Sequence, residues 1–191
     1  MYLFFDTETT GLPRNYKAPA SDTNNWPRMV QIAWRLNDEK GNELDAQSLI
    51  IKPEGYIIPQ EASNVHRITT ERANKEGVDL ETVLESFSQL INKSKYLVAH
   101  NISFDEKIIG AEFFRKKLTT NLDKLKRICT MHSSTDFCKI PGNYGYKWPK
   151  LQELHYKLFG EEFEEAHDAA ADIDATVKCF WKLKELNIIK N

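Results

Sequence analysis

The sequence predicts an α/β fold, a sheet layered with helices, and three observations predict it. Tyr2–Phe5 and Tyr96–Ala99 are short continuous apolar runs, the pattern of strands buried on both faces. Met29–Leu36 and Leu44–Ile51 are β-rich runs on either side of a polar turn, Asn37-Asp38-Glu39-Lys40-Gly41-Asn42, and read as a hairpin. Elsewhere apolar residues recur at helical spacing, so strands and helices alternate along one chain.

In chain order, Tyr2–Phe5 forms a central strand that ends in acids. Pro13, Pro19 and Pro27, with several Asn, Ser and Asp, make Arg14–Pro27 a loop. The hairpin follows, and Pro53 and Pro59 mark an irregular stretch after it. Leu80, Val83, Leu84, Phe87, Leu90 and Ile91 keep the i, i+3, i+4, i+7 spacing of an amphipathic helix. Tyr96–Ala99 is a buried strand. Phe104, Ile108, Ala111, Phe114 and Leu118 share one face of the next helix, and Arg127–Met131 reads as a fifth strand. A Gly- and Pro-bearing loop, Pro141–Pro149, leads into a helix over Lys150–Leu158. The last helix, Ala169–Leu186, packs through Ile173, Val177, Phe180 and Trp181.

With 191 residues and no internal repeat, low-complexity tract or linker, the chain is expected to form a single domain, 1–191. No apolar run approaches a membrane span. Tyr2–Phe5 runs into Asp6 without a basic leader, and Cys129, Cys138 and Cys179 follow no metal or redox spacing. Reduced thiols in a cytoplasmic chain are the expectation. The net charge of −2 leaves a nucleic-acid partner open. Four acids of one cluster account for −4 of it, and bound cations reverse the sign locally.

Those acids lie on three segments: Asp6-Thr7-Glu8-Thr9-Thr10-Gly11, His100-Asn101-Ile102-Ser103-Phe104-Asp105, and His167-Asp168-Ala169-Ala170-Ala171-Asp172. Asp6 and Glu8 are two apart on a strand, so they face the same way and can share a cation. Thr7, Thr9 and Gly11 supply hydroxyl donors and a close backbone approach for a phosphate. Asp105 stands in the first turn of a helix, where helix-dipole stabilisation with Asn101 or Ser103 as cap is the competing reading. His167 and Asp172 are five apart, which places His167 just before the last helix and Asp172 in its second turn. Asp168 caps that helix, orients the imidazole or binds metal. Gathered carboxylates repel one another unless cations neutralise them, and hard oxygen ligands point to Mg²⁺ or Mn²⁺ rather than zinc. The histidine is then left to act as a base.

On these three segments the chain resembles the DEDDh-type 3′-5′ exonucleases, the family of bacterial proofreading subunits and RNase T. Val65-His66-Arg67-Ile68-Thr69 resembles a further family element that usually carries glycine at the position of Arg67. The resemblance implies a ribonuclease H-like fold whose five-stranded mixed sheet has three antiparallel strands followed by two parallel ones. It implies two divalent cations, Mg²⁺ or Mn²⁺, held by Asp6, Glu8, Asp105 and Asp172, with Asp6 bridging them and His167 as general base. Leu12 and Phe104 are implied to pack against terminal bases, and His66 and Asn101 to line the same pocket. The implied activity is hydrolysis of nucleic acid from the 3′ end, releasing nucleoside 5′-monophosphates. DNA, single-stranded by preference, is the first choice of substrate and RNA the alternative. A DNA polymerase is a possible partner, although the chain stops at Asn191, soon after the last helix. A catalytically silent nucleic-acid-binding module is the reading from a different class, and the intact set of acids argues against it. Trp26, Tyr144, Tyr146 and Trp148 stand in loops where rings either stack on bases or anchor the loop.

Overall fold

The computed structural model describes residues 1–163 and 169–190. Its centre is β1, Tyr2–Thr9, whose residues alternate between two apolar layers. Leu3 and Phe5 enter the larger layer, and Tyr2 and Phe4 the opposite one. β1 pairs antiparallel with β2, Met29–Asn37, which pairs antiparallel with β3, Glu43–Ile50. On its other side β1 runs parallel to β4, Tyr96–Ala99, and β4 parallel to β5, Lys126–Cys129. The order β3-β2-β1-β4-β5 is the five-stranded mixed sheet expected, with helices on its faces.

Three short helices were not foreseen. α1, Gln60–His66, begins directly after Pro59, where the missing proline N–H costs nothing. α2, Thr70–Glu76, carries one buried residue, Ala73, so hydrophobic periodicity could not reveal it. Its start is set by Thr69, whose hydroxyl accepts from the Arg72 amide. α3 is Leu80–Lys93 and buries all six periodic residues. α4, Ile102–Lys116, buries Phe113 rather than Phe114, which is exposed. The expected fifth strand is cut short at Cys129, because Thr130 opens α5, Thr130–Cys138. The Pro141–Pro149 loop contains a minimal hairpin, β6 (Pro141–Gly142) and β7 (Gly145–Tyr146). α6, Leu151–Phe159, and α7, Ala169–Glu185, follow.

α3 and α4 cover the layer holding Leu3 and Phe5. α6 and α7 cover the other, where Phe180 and Trp181 pack around Phe4 and Tyr2. The three cysteines are free thiols. No helix among the described residues is long and apolar enough to cross a membrane.

Candidate active site

The alternation along β1 decides which acids meet. Asp6 and Glu8 continue the Tyr2–Phe4 face, against which α7 packs. Asp172 lies in the first turn of α7, one turn earlier than the sequence implies. One carboxylate oxygen from each of Asp6, Glu8 and Asp172 comes within 4.8 Å of the others, all three residues half-buried. That set of hard oxygen donors fits a divalent cation.

Thr7 points to the opposite face and meets Asp105 from α4. Its amide and its hydroxyl both donate to Asp105 Oδ1, at 3.1 and 2.7 Å. Asp105 therefore does more than favour the helix dipole. Asn101 takes the cap position in the left-handed region, φ 67°, and makes no side-chain cap bond; its Oδ1 accepts from Ser103 instead. Burial raises the Asp105 carboxyl to about 7, the two Thr7 hydrogen bonds opposing and the Asp172 charge adding to the rise. Asp105 is outside the 4.8 Å group yet near enough to Asp172 to feel its charge. A cation between them would relieve both penalties.

Beside the acids a groove of about 570 Å³ opens between the end of β1, α1 and the start of α4. Thr7, Thr9, Gly11, Leu12, His66 and Phe104 all line it. Asn101 is not part of that lining. Leu12 is 75% exposed, so it packs into no part of the core. Phe104 serves both roles, packing on the core with one side and walling the groove with the other. Gly11 has φ +149°, closed to other residues, and the Thr9 hydroxyl donates to its carbonyl at 2.7 Å.

His66 is buried, its Nδ1 accepting from the Ile68 amide at 3.2 Å. The proton then sits on Nε2, which is buried beside the Thr9 carbonyl without a well-formed hydrogen bond among the described residues. Burial holds this imidazole below its ordinary value, the Thr9 carbonyl opposing. Arg67 caps α1 in the left-handed region, φ 63°, a conformation that glycine adopts without strain. Sequence reasoning missed Pro59, Glu61 and Ala62 as groove residues, since α1 itself was hidden. The exposed Tyr16 ring lies 6.5 Å from Phe104, outside that lining. His167 and Asp168 lie outside the described residues.

A family model for RNase T exonucleases matches residues 3–180. The chain belongs to this family. Its members are DEDD exonucleases, enzymes that hydrolyse phosphodiester bonds with divalent metal ions. No curated protein matches. Among solved structures, E. coli exonuclease I in complex with a dA16 oligonucleotide is 22% identical, with a TM-score of 0.76. That match covers 96% of this chain and 40% of the other. The zinc-bound form of the E. coli enzyme with single-stranded DNA is 23% identical over the same shares, also at 0.76. A product-bound exonuclease I is 20% identical, covering 98% of this chain and 44% of that one, at 0.75. At such identities the likeness establishes the ribonuclease H-like fold, and the chain spans less than half the length of these enzymes. They lend no support to a polymerase partner.

Proposed function

We propose that this exonuclease removes nucleotides one at a time from the 3′ end of single-stranded DNA, with two divalent cations, Mg²⁺ or Mn²⁺, as cofactors. The observation that carries the reading is the junction of two features. The oxygens of Asp6, Glu8 and Asp172 converge within 4.8 Å, and beside them lies an apolar-walled groove closed by Leu12 and Phe104. Asp6, Glu8, Asp105 and Asp172 hold the cations, which when bound neutralise the phosphate and lower the pKa of water. The groove takes the terminal nucleoside between Leu12 and Phe104, leaving the adjoining phosphodiester over the acids. Thr7 keeps Asp105 turned to the site. His167, by family resemblance, accepts a proton from the attacking water, a role worth about two to four orders of magnitude in kcat. The choice of DNA draws on the oligonucleotides bound by exonuclease I.

The test uses 5′-labelled DNA and RNA oligonucleotides with Mg²⁺. A ladder shortening from the 3′ end of DNA is expected. Digestion of RNA alone would replace the substrate, and binding without hydrolysis would return the silent-module reading.

A further inference from the structure

We propose that the β6–β7 hairpin is a landing track for the upstream part of the same single strand, several nucleotides 5′ of the one in the groove. This rests on the function proposed above. Residues 139–150 are Lys-Ile-Pro-Gly-Asn-Tyr-Gly-Tyr-Lys-Trp-Pro-Lys: three aromatics and three lysines without one acid, in a chain of net charge −2. The rings of Tyr144, Tyr146 and Trp148 are all exposed, Tyr144 completely. Three solvated rings within five residues make an apolar patch of the kind that marks a binding surface. Lys139, Lys147 and Lys150 surround it with positive charge, and only Lys147 is answered by a carboxylate, Glu153, among the described residues. Stacking rings among lysines suit a strand of bases on a phosphate backbone, and a protein or membrane face less well.

The hairpin is held firmly, and it is rooted at the catalytic edge of the sheet. The Lys147 amide donates to the Ile140 carbonyl at 2.9 Å, and the Trp148 ring lies 4.8 Å from His132. His100, which follows β4 and adjoins the Asn101 cap of α4, donates from Nε2 to the Pro149 carbonyl at 3.0 Å. Its Nδ1 then accepts from the Thr130 hydroxyl, also 3.0 Å. Burial drives this imidazole down to about 4, so the pin stays neutral and intact near pH 7. The base of the hairpin is thus tied to the residue that follows β4, at the start of the segment leading to Asp105, whereas the terminal-nucleotide groove adjoins the end of β1 and α1. A strand with its 3′ end in the groove and its scissile phosphate on the acids leaves towards the hairpin.

Tyr144→Ala tests this with little risk to folding, because the ring is fully solvated. Three substrates separate the levels: a nitrophenyl ester of thymidine 5′-monophosphate, a dinucleotide, and a single strand of about 16 nucleotides. For the long strand KM should rise about tenfold with kcat unchanged, as expected for one lost base stack. The ester and the dinucleotide should be cleaved as before, and Tyr144→Phe should restore the long-strand KM. Lys139→Gln should lessen the salt dependence of that KM, by about 0.7 in log–log slope. An unchanged long-strand KM in Tyr144→Ala, or an equal rise on the dinucleotide, overturns the track. If the wild type cleaves neither ester nor strand, the proposed function falls and the track with it.

Discussion

Asp105 carries two consequences that can be measured. Its carboxyl sits at about 7 in the metal-free protein, against 3.8 for the ordinary group. The folded chain thus keeps a proton that the unfolded chain releases, and this contribution to stability, complete below pH 4, is lost as pH rises through 7. His100 has the opposite sign: lowered from 6.5 to about 4, it contributes stability above pH 6.5 that disappears as pH falls towards 4. In EDTA at pH 8, Asp105→Asn should therefore melt above the wild type, and the difference should vanish by pH 4. Mn²⁺ should raise the wild-type Tm at pH 8 and far less at pH 5, since ligands must be deprotonated. A flat wild-type response to Mn²⁺ across that range would sink the assignment of Asp105. Thr7→Val removes the 2.7 Å donor to Asp105 and should weaken metal affinity about 10- to 100-fold by calorimetry. If the exposed Leu12 stacks on the terminal base as proposed, Leu12→Ala should slow digestion of paired ends more than single-stranded ends, with little change in Tm. An equal slowing on both ends would rule out that stacking role for Leu12.

At the scale of elements, the loop from Arg14 to Pro27 has no regular structure of its own, and α4 holds it. Arg115 donates to the Thr23, Trp26 and Pro27 carbonyls, and the Trp26 indole is buried as an anchor, not offered to bases. Behind them Glu112, fully buried, accepts through Oε1 from Arg28, Arg115 and the Met29 amide at 2.9–3.0 Å. Arg28 in turn accepts from the Thr10 amide and donates to its hydroxyl, fixing the turn that presents Gly11 and Leu12. Glu112→Ala leaves two half-buried guanidinium groups without their carboxylate and should cost about 3–5 kcal/mol in urea unfolding. Glu112→Gln, which keeps an acceptor, should fall between it and the wild type. A loss below 1 kcal/mol in the alanine variant (about the size of an exposed ion pair) would mean the loop is held by other contacts.

For the molecule as a whole, the groove and the acids together define a polarity. On the proposed reading the groove takes a terminal 3′-hydroxyl and sets the next phosphodiester over Asp6, Glu8 and Asp172, which line or adjoin it. A 3′-phosphate adds charge where the groove is walled by Leu12, Val65 and Phe104, so such ends should resist digestion. Closed circles should not be cut at all. Comparable rates on 3′-phosphate and 3′-hydroxyl ends would point instead to internal cleavage.

Hydrophobic pattern and motif spacing by themselves determined the sheet, its major helices and the family, because central strands and amphipathic helices leave a periodic trace and the acids fall at strand and helix ends. The pairing of β1 and the order of its neighbours follow from the family resemblance, not from that trace. Three further things left no such trace. α2 and α5 are short and largely polar: α2 is started by the Thr69 cap, α5 forms through tertiary packing, and no periodicity records either. The choice of Phe113 over Phe114 depends on the rotation of α4 against the sheet. The division of labour among the acids is also tertiary. Alternation in β1 sends Asp6 and Glu8 to α7 and Thr7 to α4, and only the packed helices decide that Asp172 joins the first pair while Asp105 is gripped by Thr7. Spacing along a chain says which side chains share a face; what waits on the other side of that face is set by burial of the two apolar layers.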